Sequence, residues 1–303
     1  MTHGDKLVKL AADCKDRVTL VAPFIKTRAL SAILSSLRPS VTVAVYTRWR
    51  PEEVVAGVSD LAVFDLVQER SLSTLRLCDT LHAKLYRFDD TVLIGSANLT
   101  GTALGWAARP NIELLRKVKR NSFVINFEEH LFRRSVAATV SIRDAIQEAA
   151  DLLTATRPDR LDAREHQDDA RIGAVWLPRL RRPQLFYRGY AEGISTFTNA
   201  AREQYADDTV GVAAPHGLDK PAFEKYVRSV LLQNTLVGEL DGLIETPQRF
   251  GAIRALMRAF IRQSRLERDP AEATQTLLRW LLYFAPDRYG LRTANYSEIL
   301  FRK

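Results

Sequence analysis

Between residues 18 and about 118, short β-branched apolar runs alternate with segments of helical periodicity, which restricts the chain to a layered α/β fold. VTLVA at 18–22 and VTVAVY at 41–46 have the composition of buried strands. Between them, RALSAILSSL at 28–37 places apolar residues at helical spacing, and Pro39 marks its end. Pro51 opens PEEVVAGV, where proline suits the first turn of another helix. Further strands are expected at 74–78, 82–88 and 91–94, with Asp89–Asp90 as a tight turn between the last two. Residues 127–155 read as helix, one or two.

The chain has 303 residues, enough to bury a core without disulfide or metal staples. Its 46% hydrophobic and 26% charged residues exclude a mostly disordered or fibrous protein. Forty-four Lys and Arg against 36 Asp and Glu leave a net charge of +8, which favours a polyanionic partner. Cys14 and Cys78 lack metal-ligand or paired spacing and read as reduced thiols in a cytoplasmic protein. No apolar window approaches the roughly 18 residues of a membrane span, and the charged N-terminus does not read as a signal peptide.

A polar, proline-containing stretch at 156–171 is expected to link a first domain, 1–155, to a mainly helical second domain, 172–303. The second opens with an apolar run at 172–177 and an aromatic stretch at 186–190. Helices are expected over about 221–240, from Thr246–Pro247, and from Asp269–Pro270, where Glu272 completes a capping-box pattern. Leu277, Leu278, Trp280, Leu281 and Phe284 form the core face of the last.

The chemistry concentrates at 81–115, LHAKLYRFDDTVLIGSANLTGTALGWAARPNIELL. On a strand, His82 and Lys84 project to the same side, a cationic pair suited to an anion. The turn at Asp89–Asp90 returns the chain, so Gly95-Ser96-Ala97-Asn98 ends beside the start of the first strand. Gly95 permits close backbone approach, and Ser96 and Asn98 can donate to phosphate oxygens. Glu113, on the next expected strand, could accept from the His82 ring and fix its tautomer.

These residues resemble the phospholipase D superfamily, whose signature is His-x-Lys, four residues, Asp, then Gly-Ser-x-Asn. The matching positions are His82, Lys84, Asp89, Gly95, Ser96 and Asn98, followed by Asn111 and Glu113. The resemblance implies a phospholipase D-like layered sheet with flanking helices and metal-free, cofactor-free phosphodiester cleavage. His82 would attack phosphorus to give a phosphohistidine. A second histidine would protonate the leaving oxygen and later activate water. Lys84, Asn98 and Ser96 would hold the nonbridging oxygens. Glu113 would orient His82, and Asp89 would support the turn. Only one motif is present, and His3, His130, His166 and His216 have no lysine two residues on. A homodimer with one motif from each subunit satisfies the requirement. Single-motif members of the superfamily are predominantly nucleases. The resemblance therefore implies an endonuclease, acting on DNA ahead of RNA, with bacterial defence as a plausible setting.

Other basic clusters are less specific. Arg116, Lys117, Lys119 and Arg120 read first as a solvated loop and second as a phosphate-tracking patch. Arg254, Arg258 and Arg262 repeat at four-residue spacing opposite Phe250, Ile253 and Met257, a solvated helix face that could also meet nucleic acid. Arg179, Arg181 and Arg182 beside Phe186, Tyr187 and Tyr190 suggest a packed strand with a charged edge, or a stacking surface for single-stranded bases. The rival functions are a lipid phosphodiesterase or phosphatidyltransferase, and a nucleic-acid-binding module without turnover. No basic amphipathic segment with an apolar interfacial face is present to favour a membrane. The C-terminal region would serve recognition, regulation or docking of a further protein partner.

Overall fold

The computed structural model describes residues 1–156, 176–294 and 297–303. The chain divides into two compact units, Met1–Ala163 and Arg164–Lys303. Apart from residue 156, the expected linker 156–171 lies outside the described residues, as does most of the apolar run 172–177.

The first unit runs α1 (His3–Asp13), β1 (Arg17–Val21), α2 (Thr27–Leu34), β2 (Thr42–Thr47), α3 (Pro51–Val55), α4 (Val63–Gln68), β3 (Ser73–Leu77), β4 (Leu85–Phe88), β5 (Thr91–Gly95), β6 (Leu115–Lys119), α5 (Ser122–Arg133), β7 (Val136–Ala137) and α6 (Val140–Thr156). Its strands form one seven-stranded mixed sheet, β6-β5-β4-β1-β2-β3-β7. The three central strands β1, β2 and β3 are parallel, and β4, β5, β6 and β7 join antiparallel. Val18, Leu20 and Val21 are buried in succession, as expected of a strand covered on both faces. Beneath one face, Val124 and Leu131 of α5 pack with Val21, Leu85 and Val92. Leu7 and Ala11 of α1 and Leu30 and Ile33 of α2 are buried too. This is the layered sheet with flanking helices that the alternation implies.

The second unit is mainly helical: α7 (Gln184–Glu192), α8 (Asn199–Val212), α9 (Lys220–Leu232), α10 (Thr235–Leu243), β8 (Gln248–Arg249), α11 (Phe250–Gln263), α12 (Pro270–Phe284), β9 (Tyr289–Ala294) and β10 (Ser297–Arg302). β8, β10 and β9 make a small antiparallel sheet. Trp280 is the hub of its core. Its ring lies 5.1 Å from Phe186 and 5.6 Å from Trp176, and its indole N–H donates to the Leu180 carbonyl at 2.8 Å. Asp269 caps α12 by accepting from the Glu272 amide at 2.8 Å.

Several expectations are corrected. The aromatic stretch at 186–190 lies within the helix α7, and Phe186 packs on Phe223 at 5.2 Å, so no strand presents these rings. The helix expected over 221–240 is two helices, broken where Asn234 caps α10. The helix expected from Thr246–Pro247 begins at Phe250, after the short β8. The basic run 116–120 is largely the edge strand β6 and not a loop. Charges on a sheet edge block further pairing, which is why a strand tolerates them there. Among the described residues no helix is long and apolar enough to cross a membrane.

Candidate active site

The β4–β5 hairpin positions the site. Leu85 pairs with Ile94 and Phe88 with Thr91, so the segment entering β4 and the segment leaving β5 lie at the same end. The entering segment carries His82 and Lys84, and the leaving one carries Ser96 and Asn98. β4 starts only at Leu85, so His82 and Lys84 stand just before the strand expected over 82–88. They nevertheless converge: Lys84 Nζ lies 3.5 Å from His82 Nε2. An ammonium group only donates, so this neighbour favours a lone pair on Nε2, the form a nucleophile needs.

β6 brings the third segment. Gly95 pairs with Leu115, which puts Glu113 against the end of β5. A side chain at Gly95 is impossible here, because a Cβ would lie 1.7 Å from the Leu114 carbonyl oxygen. The Ser96 hydroxyl donates to Glu113 Oε2 and accepts from the Leu114 amide at 3.0 Å. Asn111 Nδ2 donates to Glu113 Oε1 at 3.2 Å. Ser96 and Asn111 therefore hold the Glu113 carboxylate, and no hydrogen bond from the His82 ring to it is seen among the described residues. Glu113 also precedes β6 instead of lying on it.

Asn98 sits where the leaving segment joins the core. Leu99 bridges to Ile25, and the Leu99 and Lys26 amides exchange bonds with the Phe24 and Leu99 carbonyls at 3.1 and 3.0 Å. The buried Tyr86 hydroxyl donates to the Ala97 carbonyl at 2.7 Å, fixing the backbone one residue earlier. Asn98 Oδ1 is buried without a hydrogen-bond partner. An orphaned buried amide oxygen costs about 1–3 kcal/mol, and such groups concentrate where a ligand supplies the missing bond. Residues 99–106 after Asn98 form a series of turns opened by Thr100, whose hydroxyl accepts from the Ala103 amide at 3.3 Å.

Asp89 stands at the opposite end of the hairpin, with φ of 50°. Its carboxylate accepts from the Lys15, Asp16 and Arg17 amides at 2.9, 3.0 and 3.0 Å. It is a brace for the turn, remote from His82.

Three braces were invisible in the sequence. The Arg48 guanidinium is buried against Glu53 at 2.5 Å and donates to the Leu81 carbonyl, one residue before His82, at 3.2 Å. Arg50 donates to the Asp79 carbonyl at 3.0 Å. From α1, His3 Nε2 lies 3.0 Å from the Glu113 carbonyl. A carbonyl only accepts, so that nitrogen carries the proton. WRPEE at 49–53 reads locally as a helix start, and only the fold reveals what Arg48 and Arg50 hold.

Of the basic residues, Arg116, Lys117, Lys119 and Arg120 are exposed along β6, the strand that leads out of the Glu113 segment. Arg254, Arg258 and Arg262 are exposed on α11 of the second unit, opposite the buried Ile253 and Met257.

No family model and no curated protein matches the chain. Among solved structures it is similar to NucT from Helicobacter pylori, at 14% identity and a TM-score of 0.34, over 43% of this chain and 85% of that one. It is similar to Nuc from Salmonella typhimurium, described as a phospholipase D family member, at 18% identity and a TM-score of 0.35, over 44% of this chain and 89% of that one. It is also similar to a phosphatidylserine synthase of Haemophilus influenzae Rd KW20, at 19% identity and a TM-score of 0.39, over 50% of this chain and 42% of that one. Likenesses this partial leave the chemistry to be read from the side chains.

Proposed function

We propose that the chain is a phosphodiesterase of the phospholipase D type that cleaves nucleic acid, DNA ahead of RNA, through a phosphohistidine on His82. The observation that carries this reading is the convergence of three chain segments at one end of the sheet. They bring together the His82–Lys84 pair at 3.5 Å, the Ser96–Glu113 contact and the orphaned Asn98 Oδ1. His82 Nε2 attacks phosphorus and the leaving oxygen departs with a proton; water then cleaves the P–N bond and restores the imidazole. Lys84 and the Asn98 amide offset charge on the nonbridging oxygens, and a flip of that amide turns its N–H toward the same position. Ser96 and Asn111 fix Glu113, so the carboxylate acts by holding the two segments in register.

The reaction needs a proton donor for the leaving group, and His3 is engaged with a backbone carbonyl. A second copy of the chain contributing its own His82 fills the role. Ile112 and Leu114 flank Glu113 at 104% and 70% exposure, an apolar pair suited to such a contact. The net charge of +8 and the exposed basic edge strand favour a polynucleotide over a lipid. Defence of a bacterial cell against foreign DNA is a setting that such a nuclease would fit.

The test is plasmid and single-stranded DNA cleavage in EDTA. His82→Ala is expected to reduce it by about a thousandfold or more, in line with the loss of a covalent nucleophile. Cleavage that vanishes in EDTA yet survives His82→Ala would falsify the proposal. Release of phosphatidic acid from vesicles without DNA cleavage would move the substrate to lipid.

A further inference from the structure

A cleft lies on the face of the sheet that α5 packs against. Alternate residues of a strand face opposite sides. Tyr86 reaches the Ala97 carbonyl on the His82 side, whereas Leu85 packs with α5 and Arg87 pairs with Glu128 of α5 at 2.7 Å. Past the apolar contact with α5, the sheet face turns polar. Between it and the helix opens a cleft of about 680 Å³, within the usual size range of small-molecule sites.

Four guanidinium groups line it, those of Arg17, Arg87, Arg120 and Arg133, against the carboxylates of Glu128 and Glu129. Glu128 is shared by Arg87 at 2.7 Å and Arg120 at 3.8 Å. Arg17 and Arg133 are exposed and have no ion-pair partner among the described residues. The Ser73 hydroxyl, also lining the cleft, is buried without a hydrogen-bond partner. Phe132 lines the same cleft with 55% of its surface open, and the Arg76 guanidinium lies 4.3 Å from its ring centroid. Guanidinium forks match phosphate oxygens, and an exposed aromatic ring offers a stacking surface for a base.

We propose that this cleft binds a nucleotide phosphate, held by Arg17 and Arg133, with its base against Phe132. The site is separate from the one around His82, and it stands whether or not His82 turns over. The shared chemistry is that of a terminal nucleotide phosphate, whether on a free nucleotide or at the 5′ end of a strand.

The test is calorimetric titration of the full chain with AMP, a 5′-phosphorylated trinucleotide and inorganic phosphate, beside three variants: Arg17→Glu/Arg133→Glu, Phe132→Ser and Lys84→Ala. Binding of AMP supports a free nucleotide, and binding of the trinucleotide alone supports a strand end. In either case the double charge reversal should weaken binding by about tenfold or more and Phe132→Ser should weaken it without loss of fold, whereas Lys84→Ala, which acts at the His82 site, should not abolish it. The proposal is overturned if none of the three binds, if only inorganic phosphate does, if both cleft variants bind as the parent does, or if Lys84→Ala abolishes binding. Should the double variant not fold, Phe132→Ser decides between these outcomes.

Discussion

Asp89 in the first unit and Asp208 in the second do the same mechanical job and end with opposite electrostatics. Each carboxylate gathers amide donors from a distant chain segment. Asp89 takes three backbone N–H groups and the Cys14 thiol, the latter at 3.3 Å. Asp208 takes the Arg179 and Leu180 amides at 2.7–3.1 Å and the Trp176 indole N–H at 3.0 Å. Burial raises both carboxyls. At Asp89 burial is the largest single influence, but the amides of Arg17, Lys15 and Asp16 together with the Cys14 thiol outweigh it, and the pKa falls to about 2. Asp208 has no exposed surface, so burial outweighs its donors and pushes it up to about 7. Access to water, more than the number of donors, decides which side of its ordinary value a bracing carboxyl falls on.

The largest effect expected from this contrast is that of Asp208→Ala. It strands two backbone amides and an indole inside the second unit, at a cost of about 3–5 kcal/mol. Hydrogen exchange should accelerate across peptides from 176–303 while those from 1–156 hold their protection. Equal acceleration in both would show that the units are not separately braced. Asp89→Ala should cost less, about 1–2 kcal/mol, because its amides at Lys15–Arg17 lie where water can replace the carboxylate. Here the loss should fall on the first unit.

The pH dependence has opposite signs in the two units. The Asp208 carboxyl is raised, so between its ordinary value of 3.8 and about 7 the folded chain holds a proton that the unfolded chain has released. That contribution is complete below 3.8 and fades as pH rises through about 7. Asp89 is lowered, so its contribution is complete above 3.8 and fades as pH falls toward about 2. Acidifying from pH 7 to 4 should therefore strengthen the second unit relative to the first. Asp208→Asn should flatten the second unit's slope in urea midpoints followed by hydrogen exchange. A slope unchanged in that variant would assign the titration to another group.

The two units also differed in how far they could be read from sequence. In the first, period-two and period-3.6 patterns are separated by Pro39, Pro51 and Asp89–Asp90, and β1, β2, β3 and β5 fall within about one residue of their expected bounds. The motif spacing brought His82, Lys84, Ser96, Asn98 and Glu113 to one end of the sheet without any knowledge of contacts. What Glu113 holds was not legible, because the Ser96 and Asn111 partners depend on Gly95 meeting the Leu114 carbonyl across β5 and β6. In the second unit, α8 was missed: its apolar residues do not form a stripe, and its buried anchor is the charged Asp208. The hairpin β9–β10 was missed as well, since YGLRTA carries arginine and glycine where a strand signal needs alternation. Phe186 and Tyr187 were expected on a strand because aromatics favour sheets, but tertiary packing on Phe223 and Trp280 keeps them helical.

The smallest expected effect tests the same rule with a histidine brace near the candidate site. His3 donates to the Glu113 carbonyl from a half-buried position, and water can take its place. His3→Ala should therefore cost only about 0.5–1.5 kcal/mol of stability. The carbonyl it releases belongs to the residue whose carboxylate secures Ser96, so the proposed DNA cleavage should fall a few-fold even where the fold is intact. His3→Gln retains a donor of similar reach and should recover most of the loss. A loss as deep as that of His82→Ala, unrescued by glutamine, would mean that His3 supplies the proton itself. The second imidazole would then come from the same chain and not from a partner copy.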